Sequence, residues 1–233
     1  MSSRMLSRML PVLRALLASV PLALVMPHVA AAAEPAVAAP PPIVDSPKAA
    51  GPLQTAVLSG GCFWGVQGVF EHLVGVRQAL SGYAGGVKNT ASYEVVSTGD
   101  TGHAESVQIT YDPQQVSYGQ ILQVYFSVAH NPTELNRQGP DVGTSYRSAI
   151  FYQNEEQKKV ATAYIAQLEA AHIFHGKIVT DVTPLKGFYD AESYHQDYAT
   201  NNPNNPYIQV CDRPKIEALK AEFPDLFQTY KGK

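Results

Sequence analysis

The chain is poor in cysteine and tryptophan. Of 233 residues, two are cysteine (Cys62 and Cys211) and one is tryptophan (Trp64). No Cys-x-x-Cys pair accompanies the His172-x-x-His175 spacing, so that pair lacks partners for a metal site and reads as a helix end. Positive charge is not in excess: 17 Lys and Arg stand against 20 Asp and Glu, a formal net charge of -3. A nucleic-acid or anionic-membrane partner calls for a basic surplus, and none is present. There is no G-x-G-x-x-G and no P-loop to hold a nucleotide. No internal repeat is visible, and the longest apolar run is too short for a good membrane span.

That run belongs to the leader. Arg4, Arg8 and Arg14 give a basic start, an apolar stretch follows over Ala15–Met26 with Pro21 inside it, and small residues lead to Ala33. Residues 1–33 therefore read as a signal peptide, with an organellar transit peptide as the rival. No cysteine stands near the end of this leader for lipid attachment. The expectation is an exported, periplasmic protein in an oxidising compartment, with no membrane attachment after cleavage. Residues 34–53 are rich in Ala and Pro without apolar period, and read as an extended linker or a remnant without consequence. Residues 54–230 have the size of one domain, and 45% hydrophobic content suits a single core.

Within the domain, "TAVLSGG" predicts a short buried strand. Val66, Val69, Phe70 and Leu73 then fall on one helical face, so a helix begins near Cys62. "HAESVQITYDP", "YRSAIFY" and "KIVTDVTPL" predict strands. "SYGQILQVYFSVAHNP" predicts a helix with Ser117 and Gln120 in capping-box spacing, and Asn154 with Gln157 caps another. "DAESYHQDYATNNP" reads as a short helix, and "CDRPKIEALKAEF" as a last one with Asp212 and Pro214 near its start. Strands and helices interleave too irregularly for a doubly wound sheet. The expected class is α+β, a two-layer sandwich.

Cys62 sits where strand gives way to helix. Unpaired N–H groups at a helix N-terminus favour a thiolate, and Gly60 and Gly61 leave the sulfur open to approach. A buried thiol acting as a small hydrophobe is the competing reading. Phe63 and Trp64 read either as core or as an apolar wall suited to a methyl group. In "AESVQITY", alternation puts Glu105 on one face with Val107, Ile109 and Tyr111. A carboxyl buried there without a cation stays protonated and can act as a general acid. A strand-end Glu that reaches water or an Arg is the alternative. Tyr83, among glycines, and Tyr146, at the opening of "YRSAIFY", offer hydroxyls for a ligand oxygen or for packing.

"GCFWG" at 61–65, "GYAGG" at 82–86, "TGHAE" at 101–105, "DVGTSYRSAI" at 141–150 and "YHQDY" at 194–198 occur in one order. In this the chain resembles the class-A peptide methionine sulfoxide reductases over about residues 54–227. The resemblance implies a ferredoxin-like α+β sandwich with a mixed sheet. It implies that Cys62 is the nucleophile that attacks the sulfoxide sulfur, and that Glu105 protonates its oxygen. Tyr83 and Tyr146 are implied to bind that oxygen, Asp141 to order the site, and Phe63 and Trp64 to hold the methyl. It further implies a sulfenic acid on Cys62, the S epimer as substrate, free or in oxidised proteins, and a thioredoxin-like reductant. No metal or organic cofactor is implied.

The chain departs from the family pattern at three places. Gln67 stands where many relatives have an acid, which would leave less repulsion near the thiolate. Ser97 stands where relatives often have cysteine. Cys211 follows "NPY" by four residues, in a slot that is often apolar, and the tail lacks glycine-rich flexibility. Three readings follow: an apolar substitute, a resolving thiol, or half of a disulfide with Cys62. The last would block the nucleophile and ranks below the other two. The missing flexibility puts the inert reading ahead of the resolving thiol.

Overall fold

The structure, a computed structural model, describes residues 36–232. The leader read at 1–33 lies outside the described residues, as do the first two residues of the linker. In chain order the elements are β1 (Gln54–Ser59), α1 (Phe63–Glu71), β2 (Val76–Ala84), α2 (Tyr93–Val96), β3 (Ala104–Tyr111), α3 (Tyr118–Val124), β4 (Arg137–Gln138) and β5 (Asp141–Val142). They continue with β6 (Ala149–Tyr152), α4 (Glu155–Ala170), β7 (Asp181–Pro184), β8 (Phe188–Asp190), α5 (Tyr198–Asn201) and α6 (Arg213–Glu222).

Six strands form one sheet in the order β7-β6-β1-β3-β2-β8, parallel at β6–β7 and antiparallel elsewhere. The sheet is mixed, as expected. Its four central strands come from two interlocked units, β1-α1-β2 and β3-α3-β6, each with a strand of the other between its own. That is the split β-α-β arrangement of a ferredoxin-like sandwich.

The main core lies between this sheet and its helices. Leu58, Val107 and Ile109 face Val66, Val69 and Phe70 of α1 and Ile121 and Leu122 of α3. The opposite sheet face carries a smaller cluster, Val57, Ala84, Ala104, Ala149 and Phe151, backed by Leu185 and Phe188. The pattern read in β3 holds: Val107, Ile109 and Tyr111 enter the main core, while Ala104 joins the opposite cluster. Burying Val107 and Ile109 contributes about 1.5–3 kcal/mol each. A one-residue slip would free Glu105 but turn both outward. The apolar side chains therefore carry the carboxyl inside.

Local signals fix the helices. Ser117 accepts from Gln120 N at 3.1 Å while Gln120 Oε1 accepts from Ser117 N, closing the expected capping box of α3. Asn154 Oδ1 accepts from Gln157 N at 2.9 Å, and Glu155 and Glu156 lie in the favourable first turn of α4. Two π-helical turns, Tyr125–Ala129 after α3 and Ile208–Asp212 before α6, stand outside any pattern in the sequence. Asp212 lies at the start of α6 but its side chain caps nothing.

Four segments differ from expectation, among them "KIVTDVTPL", whose strand begins only at Asp181. β2, nine residues long, has no clean alternation, because a bulge between Val76 and Gln78 shifts its register and Ser81 and Gly82 interrupt it. "YRSAIFY" becomes a strand only at Ala149, since Thr144–Tyr146 form a 3-10 turn. "DAESYHQDYATNNP" splits into a 3-10 turn at Ser193–His195 and α5, with Asp197 left-handed between them (φ 52°). The described part of the Ala/Pro segment is extended and lies along the domain. Val37 N bonds Ser127 O, Tyr164 Oη bonds Pro40 O, and Asp45 accepts from Ser117 Oγ and Gly119 N.

Candidate active site

β1 ends at Ser59, and Gly60-Gly61 turns the chain into α1. Gly61 has φ +88°, and a Cβ there would fall 2.7 Å from Gln138 Cβ. Gln138 in turn bonds Asn131 N and O at 2.9 and 2.6 Å. Glycine at 61 thus lets the turn pack closely against Gln138, in the loop that presents Asp141. Cys62 occupies the N-cap of α1, buried at 8% exposure.

The helix N-terminus does not win control of this thiol. The Trp64 backbone N–H favours the anion, yet Cys62 is pushed well above the ordinary thiol range. Burial is the first cause, followed by the charges of Glu105 and Asp212, with Asp141 adding to them. A helix N-terminus is worth about 0.3–2 kcal/mol to an anion, whereas a buried charge without a close partner costs several. The resting group is a thiol, where the sequence suggested a thiolate.

Glu105, on β3, is 4% exposed and has no cation partner among the described residues. The Phe63 N–H donates to its Oε2 at 3.0 Å. Burial pushes its carboxyl up to about 8, against the pull of that hydrogen bond and with help from Asp141 and Asp212. It is a neutral acid at physiological pH, as its strand phase suggested.

Tyr83 is fully buried near the end of β2, and its hydroxyl donates to Glu192 Oε2 at 2.8 Å. Glu192 Oε1 also accepts from Tyr93 N at 2.9 Å, so Glu192 ties β2 to α2. Tyr146 lies in the 3-10 turn before β6, where Arg147 bonds Gly102 O, His103 O and Thr144 O. Burial first, then the charges of Glu105, Asp141 and Cys62, keep Tyr146 a phenol. No hydrogen bond occupies its hydroxyl among the described residues, so it is free to donate.

Phe63 packs inward against Tyr83 and His195, with ring centroids 5.9 and 5.0 Å away. Trp64 is half-buried and stacked on Tyr198 at 3.8 Å and 12°. Its Nε1–H donates to His195 Nδ1 at 3.1 Å, and Tyr207 meets its edge. Asp141 accepts a hydrogen bond from the Tyr207 hydroxyl. Burial raises Asp141, while Tyr207 and Lys215 oppose that shift.

A cavity of about 420 Å³ opens beside Cys62 and is also lined by Asp141, Tyr207, Cys211 and Lys215. Glu105, Tyr83, Phe63 and Trp64 do not line it, so the residues read from sequence divide between two sides of the sulfur. Both cysteines are free. Gln67 faces away from Cys62, bonding Ala79 O, Asp197 Oδ1 and Ser81 Oγ. Its amide relieves the contact between buried Glu71 and half-buried Asp197, where Glu71 is pushed up to about 9 by burial first and then by Asp197.

Sequence reasoning missed Glu192, His195, Tyr207 and Asp212. The first two lie in or beside "YHQDY" and Tyr207 in "NPY", stretches whose motif character was visible while their partners were not.

Fold and site together define a class: a thiol oxidoreductase in which a buried cysteine meets a neutral carboxyl and a free phenol. The family model for peptide methionine sulfoxide reductase matches residues 54–226. Peptide methionine sulfoxide reductase MsrA 2 of Mesorhizobium japonicum is 60% identical over 180 residues, 77% of this chain and 92% of its own. That of Synechocystis is 51% identical over 172 residues, 74% and 80% respectively. Among solved structures, methionine sulfoxide reductase A of Corynebacterium diphtheriae aligns with TM-score 0.57 and 31% identity, over 76% of this chain and 89% of that one. Reduced Mxr1 of Saccharomyces cerevisiae gives 0.60 and 33%, over 66% and 88%. The chain belongs to the peptide methionine sulfoxide reductase family, in its MsrA class, and is an enzyme of that activity.

Proposed function

We propose that Cys62 reduces the S epimer of methionine sulfoxide, free or in oxidised proteins, with Glu105 as the proton donor. The observation that carries this assignment is a buried thiol beside a carboxyl that stays neutral to about pH 8. A sulfoxide oxygen is a poor leaving group until protonated. Glu105 supplies that proton as Cys62 sulfur bonds to the sulfoxide sulfur, and the proton lost by Cys62 balances it. The S–O bond breaks and its protonated oxygen leaves as water; water then bonds to Cys62 sulfur as the Cys62–methionine S–S bond breaks, so methionine leaves with the two electrons that Cys62 sulfur gives up. Cys62 is left as a sulfenic acid. Tyr146 donates to the sulfoxide oxygen. Tyr83, held by Glu192, supports the same wall and is released to the oxygen if Glu192 yields it. Phe63 and Trp64, fixed by His195 and Tyr198, flank the methyl group. Asp141, bonded by Tyr207, orders the opposite side.

The shared cavity favours Cys211 as the thiol that resolves the sulfenic acid. It forms a disulfide with Cys62 and releases water, and a thioredoxin-like dithiol reduces that disulfide. The exported setting remains the reading of the leader, with residues 54–230 as the catalytic domain. The test is one turnover without reductant on each sulfoxide epimer. About one methionine per Cys62 from the S epimer is expected. No methionine from it, as a mere binder of oxidised methionine would give, contradicts the assignment.

A further inference from the structure

Asp212 is a buried carboxylate near Cys62 that the proposed route leaves unused. It is 0% exposed, and neither side-chain oxygen has a hydrogen bond. Such a group is costly to bury and calls for an explanation. The π-turn Ile208–Asp212 aims it at the first turn of α1. A Cβ on Gly65 would fall 2.2 Å from Asp212 Oδ1 and 3.2 Å from Lys215 Nζ, so only glycine there lets the two charges seat against the helix that begins with the nucleophile. Lys215 Nζ stands 3.7 Å from Asp212 Oδ1, beyond hydrogen-bond length, so the negative charge is offset without being quenched. Lys215 also lines the cavity that Cys62 opens on.

We propose that Asp212 and Lys215 are a positioning pair that sets the ionisation of Cys62, the carboxylate keeping the resting sulfur a thiol and the ammonium keeping that carboxylate charged. The proposal rests on Cys62 as the reacting thiol, but its test reads the thiol and not turnover, so the two fail separately.

The other titratable groups around Cys62 do not supply this control in the same way. Glu105 from β3 is neutral below about 8. Tyr93, Tyr146 and Tyr207 are phenols raised by burial first. Asp141 from β5 accepts a hydrogen bond from Tyr207, whereas Asp212 accepts none and has only the ion pair with Lys215. The groups bearing on Asp212 are Lys215, Asp141, Glu105, Tyr207, Cys62 and Cys211. Burial pushes Asp212 up to about 6, so it is an anion at neutral pH and loses its charge in mild acid.

The test is alkylation of Cys62 by iodoacetamide across pH on the full chain, with peptide mass mapping to read Cys211 separately. At neutral pH, Asp212→Asn should alkylate about tenfold faster than the unaltered protein, because more of the sulfur is thiolate once the anion is gone. That advantage should vanish as pH falls below about 6. Lys215→Gln takes from Asp212 the cation that keeps it ionised, so it too should alkylate faster at neutral pH and lose that advantage below about 6. A pair that only held α6 in place would open the site when broken and speed both variants at every pH. Asp212→Asn no faster at neutral pH, or an advantage that persists well below about pH 6, overturns the proposal. If Asp212→Asn does not fold, the pH course of Lys215→Gln decides alone.

Discussion

Glu105 and Asp212 are both buried carboxyls that bear on the same sulfur, and they differ in what surrounds them. Glu105 rises from the middle of the sheet, takes one N–H from Phe63 and faces no cation; it is pushed up to about 8. Asp212 sits in the turn before α6, takes no hydrogen bond and has Lys215 nearby; it is pushed up to about 6. Between those values one group holds a proton while the other holds a charge. One chemical type thereby fills two posts, a donor on the aromatic side and a fixed anion against the first turn of α1, and environment alone makes the division.

Substitutions can break this contrast or sharpen it. The largest effect belongs to the sulfur both carboxyls serve: Cys62→Ser should form no methionine in a single-turnover chromatographic assay. Glu105→Gln keeps the shape and removes the proton, and should slow the first turnover by about a hundredfold to ten-thousandfold. Tyr146→Phe takes away one neutral donor on the Glu105 side, a loss of up to about tenfold in the same rate. On the Asp212 side, Gly65→Ala drives a methyl into the carboxylate and should cost about 1–3 kcal/mol in urea denaturation. Cys211→Ser should leave the first methionine untouched, yet mass spectrometry after one turnover should show sulfenic acid on Cys62 in place of the disulfide.

The Glu105 side was the more legible in the sequence. Period-two alternation over Glu105–Tyr111 reports burial directly, because a strand side chain has only two faces to choose from. Helical period and capping signals likewise announced α1, α3 and α4. The Asp212 side depends on a π-turn and on a contact between residues some 150 positions apart in the chain, about which local pattern carries no information. Gly65 showed its place in a motif but not the carboxylate it makes room for. β2 stayed hidden because its bulge and polar residues erase the alternation. The ionisation of Cys62 was misjudged for a related reason. A helix N-terminus is visible in sequence, whereas three carboxyls converging on it from β3, β5 and the turn before α6 are a product of the fold.

The most direct test of Glu105 as the proton donor is the ratio of first-turnover rates, unaltered protein over Glu105→Gln, followed across pH with methionine S-sulfoxide. While Glu105 is protonated it puts no charge beside Cys62, so ionisation of Cys62 enters both rates alike and the ratio follows the protonation of Glu105. The ratio should stay level up to about pH 8 and then fall by about tenfold per pH unit as the carboxyl loses its proton. A ratio that stays level through and beyond that range would contradict the assignment.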